Sequence, residues 1–311
     1  VGYYSNGQKS EEKTYKDGET VGIWTFWDKQ GQKEWEGTLE EYNILKVKPA
    51  FEAAITTAKQ IDDFSERNDT LRAIAMEQAG YGFFDDAITT ANMMEEWYRS
   101  YAFESISTKQ VEAGLLKDAY FSAYEMGTRE RAGMMSVIAE KQIELGLFDD
   151  ALVSAKEINN DFTYGLGYTH ICDIAEKQAY AGLYNKAFDT VNLLFGCDRD
   201  RTLKTIVVYL IEKSDSIGLA QRTSELISDN YYKSKALAII AEYQAVTGNI
   251  REAKITFNKA ETIAQSIVNV WKFCSLGAKP NRSLIDFALN YDYRAEAIEY
   301  IAALKSRAGL K

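Results

Sequence analysis

From about residue 44 onward, apolar and polar positions alternate with a helical period, and a longer repeat is laid over that pattern. The unit reads apolar-x-x-Ile-Ala-x-x-Gln-x-x-x-Gly-x-aromatic-Asp-Asp-Ala-x-x-x-Ala. Ile74-Ala75, Ile138-Ala139, Ile174-Ala175 and Ile240-Ala241 lie on a first helix, and Phe84-Asp85-Asp86-Ala87 and Phe148-Asp149-Asp150-Ala151 open a second. The spacings between Gly82, Gly114, Gly146, Gly182, Gly218 and Gly248 are 32, 32, 36, 36 and 30 residues. A unit of this size cannot bury its own apolar face, so neighbours must stack into a helical array.

Each recurring residue has a local cause. Small Ala residues let helix backbones approach closely. Gly supplies a left-handed conformation between the two helices. Acidic pairs after the aromatic residue fall in the first turn of the second helix, where the macrodipole favours negative charge by roughly 0.3 to 1 kcal/mol each. The six Gly positions predict about six helix pairs over 67-263. Phe51-Glu52-Ala53-Ala54 repeats the start of a second helix and predicts an opening helix over 47-61. Leu284 to Leu289 and Ala295 to Leu304 predict terminal helices over 282-308. Gln78, Gln110, Gln142, Gln178 and Gln244 share one position that Ser214 interrupts. Such a glutamine either ladders along a peptide backbone or bonds a neighbouring helix end; a residue needed in every repeat points to stacking.

Residues 1-41 are of another kind. Alternating runs such as Ile23-Trp24-Thr25-Phe26-Trp27 are separated by Asn6-Gly7, Asp17-Gly18 and Gln30-Gly31, which are hairpin signals. Tyr4-Ser-Asn-Gly-Gln-Lys9 recurs 24 residues later around Gln30-Gly31-Gln32-Lys33.

Composition narrows the function classes. With 311 residues, 46% of them hydrophobic, and two prolines, Pro49 and Pro280, the chain is predicted to be ordered and mainly α. A formal charge of -10 disfavours nucleic acid and anionic lipid and favours a basic partner. No apolar run is long enough to span a bilayer. Cys172, Cys197 and Cys274 have no metal-ligand spacing, and their odd number points to buried free thiols. The chain starts at Val1 inside a strand-like pattern, so further residues are expected upstream; this leaves a signal peptide or anchor open, and with it the compartment, cytoplasm or periplasm.

Two resemblances follow. The small-residue, Gly-aromatic and Ala positions, at Ala75, Gly82-Phe83-Phe84 and Ala87 and again in later units, resemble the tetratricopeptide repeat. The terminal proline and first-helix aromatic of that family are replaced here. The NG, DG and G-x-W marks of the first 41 residues resemble the bacterial MORN-repeat variant of YwqK-like proteins. Together they imply a mainly α fold: a right-handed α-solenoid of TPR-like helix pairs over 44-311, preceded by a short antiparallel β-meander that leans on the first helix or on further repeats upstream.

In TPR-like arrays the first helices line the concave side. That resemblance places Arg72 and Met76, Tyr101, Glu104 and Thr108, Ser136 and Glu140, Cys172 and Glu176, and Ala238 and Glu242 in a groove. Glu140, Glu176 and Glu242 would form a ladder of carboxylates, with Tyr101 and Tyr180 as aromatic anchors. The groove residues are then Arg72, Tyr101, Glu104, Glu140, Glu176, Tyr180 and Glu242. The alternative is a solvated face on which these Glu residues pair with Lys141 and Lys177.

Catalysis has little support. His170, the one histidine, has no nucleophile beside it in the sequence, and no phosphate loop, dinucleotide fingerprint or HExxH is present. The expectation is a non-enzymatic protein-binding scaffold without cofactor or metal, taking a basic or extended segment in an acidic groove. A dedicated chaperone or antitoxin-like neutraliser of one basic client is the alternative. Self-association through the array ends or the β-segment is a further expectation.

Overall fold

The computed structural model describes residues 1–16, 19–158, 166–214, 216–267 and 292–310. It is mostly helical behind a short antiparallel sheet. Two compact units, Val1–Met126 and Gly127–Lys311, divide the chain.

The first unit opens with strands β1 (Gly2–Tyr3), β2 (Lys9–Lys16), β3 (Glu19–Trp27) and β4 (Lys33–Gly37), antiparallel in the order β1-β2-β3-β4. The expected meander is therefore present. Its recurrence over 24 residues is a repeated turn. Tyr4 N bonds Gln8 O and Gly7 N bonds Tyr4 O; Asp28 N bonds Gln32 O and Gly31 N bonds Asp28 O. Asn6 Nδ2 ties one turn to the other at Lys29 O, 2.8 Å away. The Asp17-Gly18 turn lies outside the described residues. Trp24, Phe26 and Trp35 gather around Tyr42, whose ring stacks on Phe26 at 5.2 Å and 18°. This is the support that so small a sheet requires. Lys13 Nζ lies 4.5 Å over the Trp24 ring.

Tyr42 stands on a helix that starts earlier than the expected residue 44 or 47. Thr38 forms a capping box with Glu41, and α1 (Leu39–Tyr42), a π-helical stretch (Asn43–Val47) and α2 (Lys48–Ala58) follow without a break. Pro49 explains the π stretch, since it cannot donate to the carbonyl four residues back, and Lys48 N bonds Asn43 O instead. Phe51 of α2 then rests edge-on against Tyr81 and Phe83. Two helix pairs complete the unit: α3 (Phe64–Gly80) with α4 (Phe84–Ala91), and α5 (Glu96–Glu112) with α6 (Leu116–Tyr124).

The second unit continues with pairs α7 (Thr128–Glu144) and α8 (Phe148–Ile158), α9 (Leu166–Tyr180) and α10 (Tyr184–Val191), α11 (Gly196–Ser214) and α12 (Ile217–Glu225), and α13 (Asn230–Val246) and α14 (Ile250–Gln265). Helix α15 (Tyr293–Arg307) packs on α13 and α14 and contains the second expected terminal helix; the first, Leu284 to Leu289, lies outside the described residues. Consecutive first helices α7, α9, α11 and α13 pack side by side. Ala175, Ala187, Ile206, Leu210 and Ala236 form one continuous stretch of that core. No described helix is long and apolar enough to cross a membrane.

The recurring glutamine closes every such pair through its backbone, and three of them through its side chain as well. Its backbone carbonyl accepts from the N–H five residues on, as Gln78 O does from Phe83 N at 2.9 Å across the left-handed Gly82, φ 80°. Its side chain, buried between the two helices, accepts a hydroxyl twelve residues on. Thr90 Oγ1 reaches Gln78 Oε1 at 2.8 Å, Ser154 Oγ reaches Gln142 Oε1 at 2.8 Å, and Thr190 Oγ1 reaches Gln178 Oε1 at 2.7 Å. The glutamines therefore bond within their own helix pair.

One register needs correcting. Ser214 is not the equivalent residue and Gly218 is not a turn glycine, because Gly218 lies inside α12. The span closed by the backbone bond at the α11–α12 turn holds one more residue than the others, since Ser216 N bonds Leu210 O, six residues back. Leu210 thus occupies the glutamine position, with Ile206-Val207 in place of Ile-Ala, and all three are fully buried or nearly so. Its would-be partner Thr223 turns its hydroxyl to the carbonyl of Leu219 at 2.8 Å. The cysteine expectation also changes. Cys197 is disulfide-bonded, Cys172 is a buried free thiol, and Cys274 lies outside the described residues.

Thr190→Val removes the donor and strands the buried Gln178 amide, at an expected cost of about 1–3 kcal/mol in urea denaturation. Adding Gln178→Leu, the residue type of Leu210, removes the stranded amide and should recover most of the loss; a double variant as unstable as the sum of the singles would contradict this account.

Candidate partner-binding site

The clearest concavity on the first-helix face of the second unit is about 250 Å³ in volume and lies across α7, α9 and α11. Glu140, Glu144, Asp173 and Glu176 line it, with Ile143 and Tyr209 as apolar walls and Lys177 as a cation. Two expected groove residues, Glu140 and Glu176, thus come together. They do so because residues two before the glutamine on neighbouring helices project from the same stripe. The pairing with adjacent lysines holds less well: Lys141 bonds Glu144 at 2.9 Å, leaving Glu140 without an ion pair among the described residues.

Asp173 keeps a solvent-exposed edge and Glu176 is half-buried. Burial raises the pKa of both above the ordinary carboxylate range, and for Glu176 the charge of Asp173 adds to it. His170 and Arg201 pull Asp173 back in the opposite direction, and a hydrogen bond to Thr205 does so for Glu176. These are carboxylates partly stripped of water and only partly compensated.

The ladder does not continue as expected. In the corrected register, Val208 stands at the ladder position on α11 and Lys204 four residues before it. Burial lowers the pKa of Lys204, with Lys235 of α13 adding to the effect. Glu242 is held by Arg307 of α15 at 2.9 Å. Cys172 and Ala238, also placed in the groove, are buried against neighbouring helices. Acidity is thus concentrated on α7 and α9, while Arg201, Lys204 and Lys235 bring positive charge to α11 and α13. Lys235 itself bonds Glu296 at 2.7 Å and lies over the Tyr231 and Tyr300 rings. Tyr180 is exposed beside the acidic end, edge-on to Tyr209 at 5.5 Å and beneath Lys213 Nζ at 4.5 Å.

The remaining groove residues belong to the first unit. Arg72 on α3 is paired with Asp69 of the same helix at 2.9 Å. Tyr101 and Glu104 lie one turn apart on α5, both exposed, and Tyr101 stands edge-on to the exposed Trp97. Helices α3 and α5 pack directly together, so these three share one face of that unit.

A contact absent from the sequence reading involves His170. Its Nε2 lies 2.7 Å from Ser136 Oγ, one repeat earlier. His170 is buried, and its Nδ1 has no hydrogen-bond partner among the described residues, so no carboxylate fixes its tautomer as a triad would require. The 34-residue separation, one repeat length, was the available signal. Among the described residues no group of three or more His, Cys, Asp or Glu is arranged to hold a metal ion.

The raised carboxyls set a pH dependence. Between their unfolded and folded pKa values the folded chain holds more protons than the unfolded one, so their contribution to stability is greatest at low pH and is lost as pH rises through the folded values. The variant Asp173→Asn/Glu176→Gln lacks this term. Its thermal midpoint relative to the parent chain should therefore climb between pH 4 and pH 7, as scanning calorimetry would show, given ordinary values of 3.8 and 4.5 for the two groups. Comparison with protein-family models, curated proteins and solved structures gave no match.

Proposed function

We propose that this chain is a non-enzymatic, TPR-like binding array fronted by a MORN-like β-segment, and that it holds an extended, basic protein segment along α7 and α9. The observation that carries the reading is the convergence of Glu140, Glu144, Asp173 and Glu176 on one cavity whose only lining cation among the described residues is Lys177. A lysine or arginine entering there would relieve the desolvated carboxylates and meet complementary potential, which raises association rate and specificity more than raw affinity. Tyr209 and the exposed Tyr180 supply flat apolar surface for the stem of the incoming side chain. The run of positive groups on α11 and α13 favours a segment whose basic residues are followed by neutral or acidic ones. Such pairing would fix the direction in which the segment lies.

The acidic end sets the expected outcome. A lysine- and arginine-rich peptide should bind with an affinity that weakens as salt rises, and weakens again as pH falls through the raised carboxyl values. Glu140→Lys/Glu176→Lys should reduce affinity by roughly tenfold or more in calorimetric titration. Glu242→Gln, which alters a carboxylate already satisfied by Arg307, should leave affinity near that of the parent chain. Equal losses from both variants, or none from the first, would remove the assignment.

A further inference from the structure

Helix pair α5/α6 has the same residue types at the same spacing as the pairs locked by a glutamine, yet its bond is not made; Gln244 Oε1 of α13 is likewise unbonded, but only at α5/α6 is the hydroxyl twelve residues on orphaned as well among the described residues. Gln110 Oε1 and Ser122 Oγ are both without a hydrogen-bond partner, although the two residues are only 1% and 3% exposed. Orphaned buried polar atoms are uncommon and costly. Both residues line one cavity of about 290 Å³ between α4 and α6, floored by α5. Phe84, Phe103 and Phe121 give it an apolar wall, and Asp85, Asp118 and Glu125 give it negative charge.

The charges on this seam differ from those on comparable seams. Lys48 of α2 reaches Asp86 of α4 at 2.7 Å, Lys186 of α10 reaches Asp149 of α8 at 2.9 Å, and Lys259 of α14 reaches Glu225 of α12 at 2.6 Å. By repeat position Asp85 matches Asp149, and Asp118 matches Lys186. Where α8 and α10 are bridged by a lysine, α4 and α6 therefore present two carboxylates. The cation that closes these three seams has no counterpart here among the described residues. A bare metal ion does not fit, because no described cluster has the ligand arrangement for one and the walls here are aromatic.

We propose that this cavity binds a primary ammonium group carried on an apolar arm. The ammonium takes the place that Lys186 fills in the second unit, between Asp85 and Asp118, and donates to Gln110 Oε1. The arm lies against Phe84 and Phe121, and Ser122 supplies a further polar contact. The ammonium is charged and has three donors, which suits a site of carboxylates and an amide oxygen. A lysine side chain of a partner and a free small amine share this chemistry.

Isotope-edited NMR of the full chain tests it, read at the Ile88 methyl and the Ser122 amide. Phenethylammonium and N-acetyl-lysine methylamide should both shift these signals to saturation, and phenethyl alcohol, neutral but of similar shape, should bind roughly tenfold more weakly or worse. Tighter binding of the lysine derivative identifies a partner side chain as the source; tighter binding of phenethylammonium identifies a free amine. Asp118→Lys, which installs the seam cation from within, should abolish binding, and Gln110→Leu, the residue type of Leu210, should weaken it without changing charge. Glu140→Lys/Glu176→Lys should leave these shifts unaltered, so this site stands or falls apart from the groove on α7 and α9. Equal binding of the alcohol, indifference to both Asp118→Lys and Gln110→Leu, or no shift with either amine would overturn the proposal, the last meaning that solvent satisfies the two orphaned groups.

Discussion

The array depends on how two antiparallel helices are closed over a turn of two or three residues. At that point the first helix runs out of N–H partners for its last carbonyls, and the second has not yet begun to supply its own. The residue at the glutamine position resolves this with its backbone carbonyl, which reaches across the turn to the second helix. In three pairs the side chain then anchors the flank of that helix with a buried amide–hydroxyl bond. Alanines on either side let the backbones come close enough for the amide to reach. Closeness and closure are therefore one requirement, and each pair meets it internally before it meets its neighbours.

Struts between neighbouring pairs are fewer and more varied. Asn68 Oδ1 accepts from Glu95 N at the entry to α5, and Asp200 accepts from Ser228 N and Asp229 N at the entry to α13. Both acceptors stand ten residues before the glutamine position. A buried carboxylate in one repeat and an amide in another do the same task, which leaves the local charge free to vary. The same freedom is visible on the outer seams, where lysine–carboxylate bridges alternate with an uncompensated acidic stretch.

Much of this was legible in the chain, and the failures were physical. The helix pairs, the meander and the stacking role of the glutamine could be read because periodicity, turn glycines and acidic first turns are local signals. The misplacement of Ser214 came from trusting Gly218 as a turn marker, whereas the true register shows only in the bond from Ser216 to Leu210. That four-residue slip also hid Lys204 and Val208, and made the glutamate ladder look longer than it is. The contact between His170 and Ser136 and the ion pair of Glu242 with Arg307 join residues 34 and 65 positions apart, so no short motif announces them. The bonded state of Cys197 was misread from an odd count, which speaks only to the leftover thiol. The unbonded pair of Gln110 and Ser122 could not be foreseen at all, since their types and spacing match those of the bonded pairs.

The π-helical stretch ahead of Pro49 shifts the backbone bonding register in the middle of one continuous helix. Tyr42 and the sheet it supports lie on one side of that shift, and Phe51, seated on Tyr81 and Phe83, lies on the other. A π turn holds more residues than an α turn, so this stretch helps to set the angle about the helix axis between the aromatic cluster of the sheet and the face that meets the first helix pair.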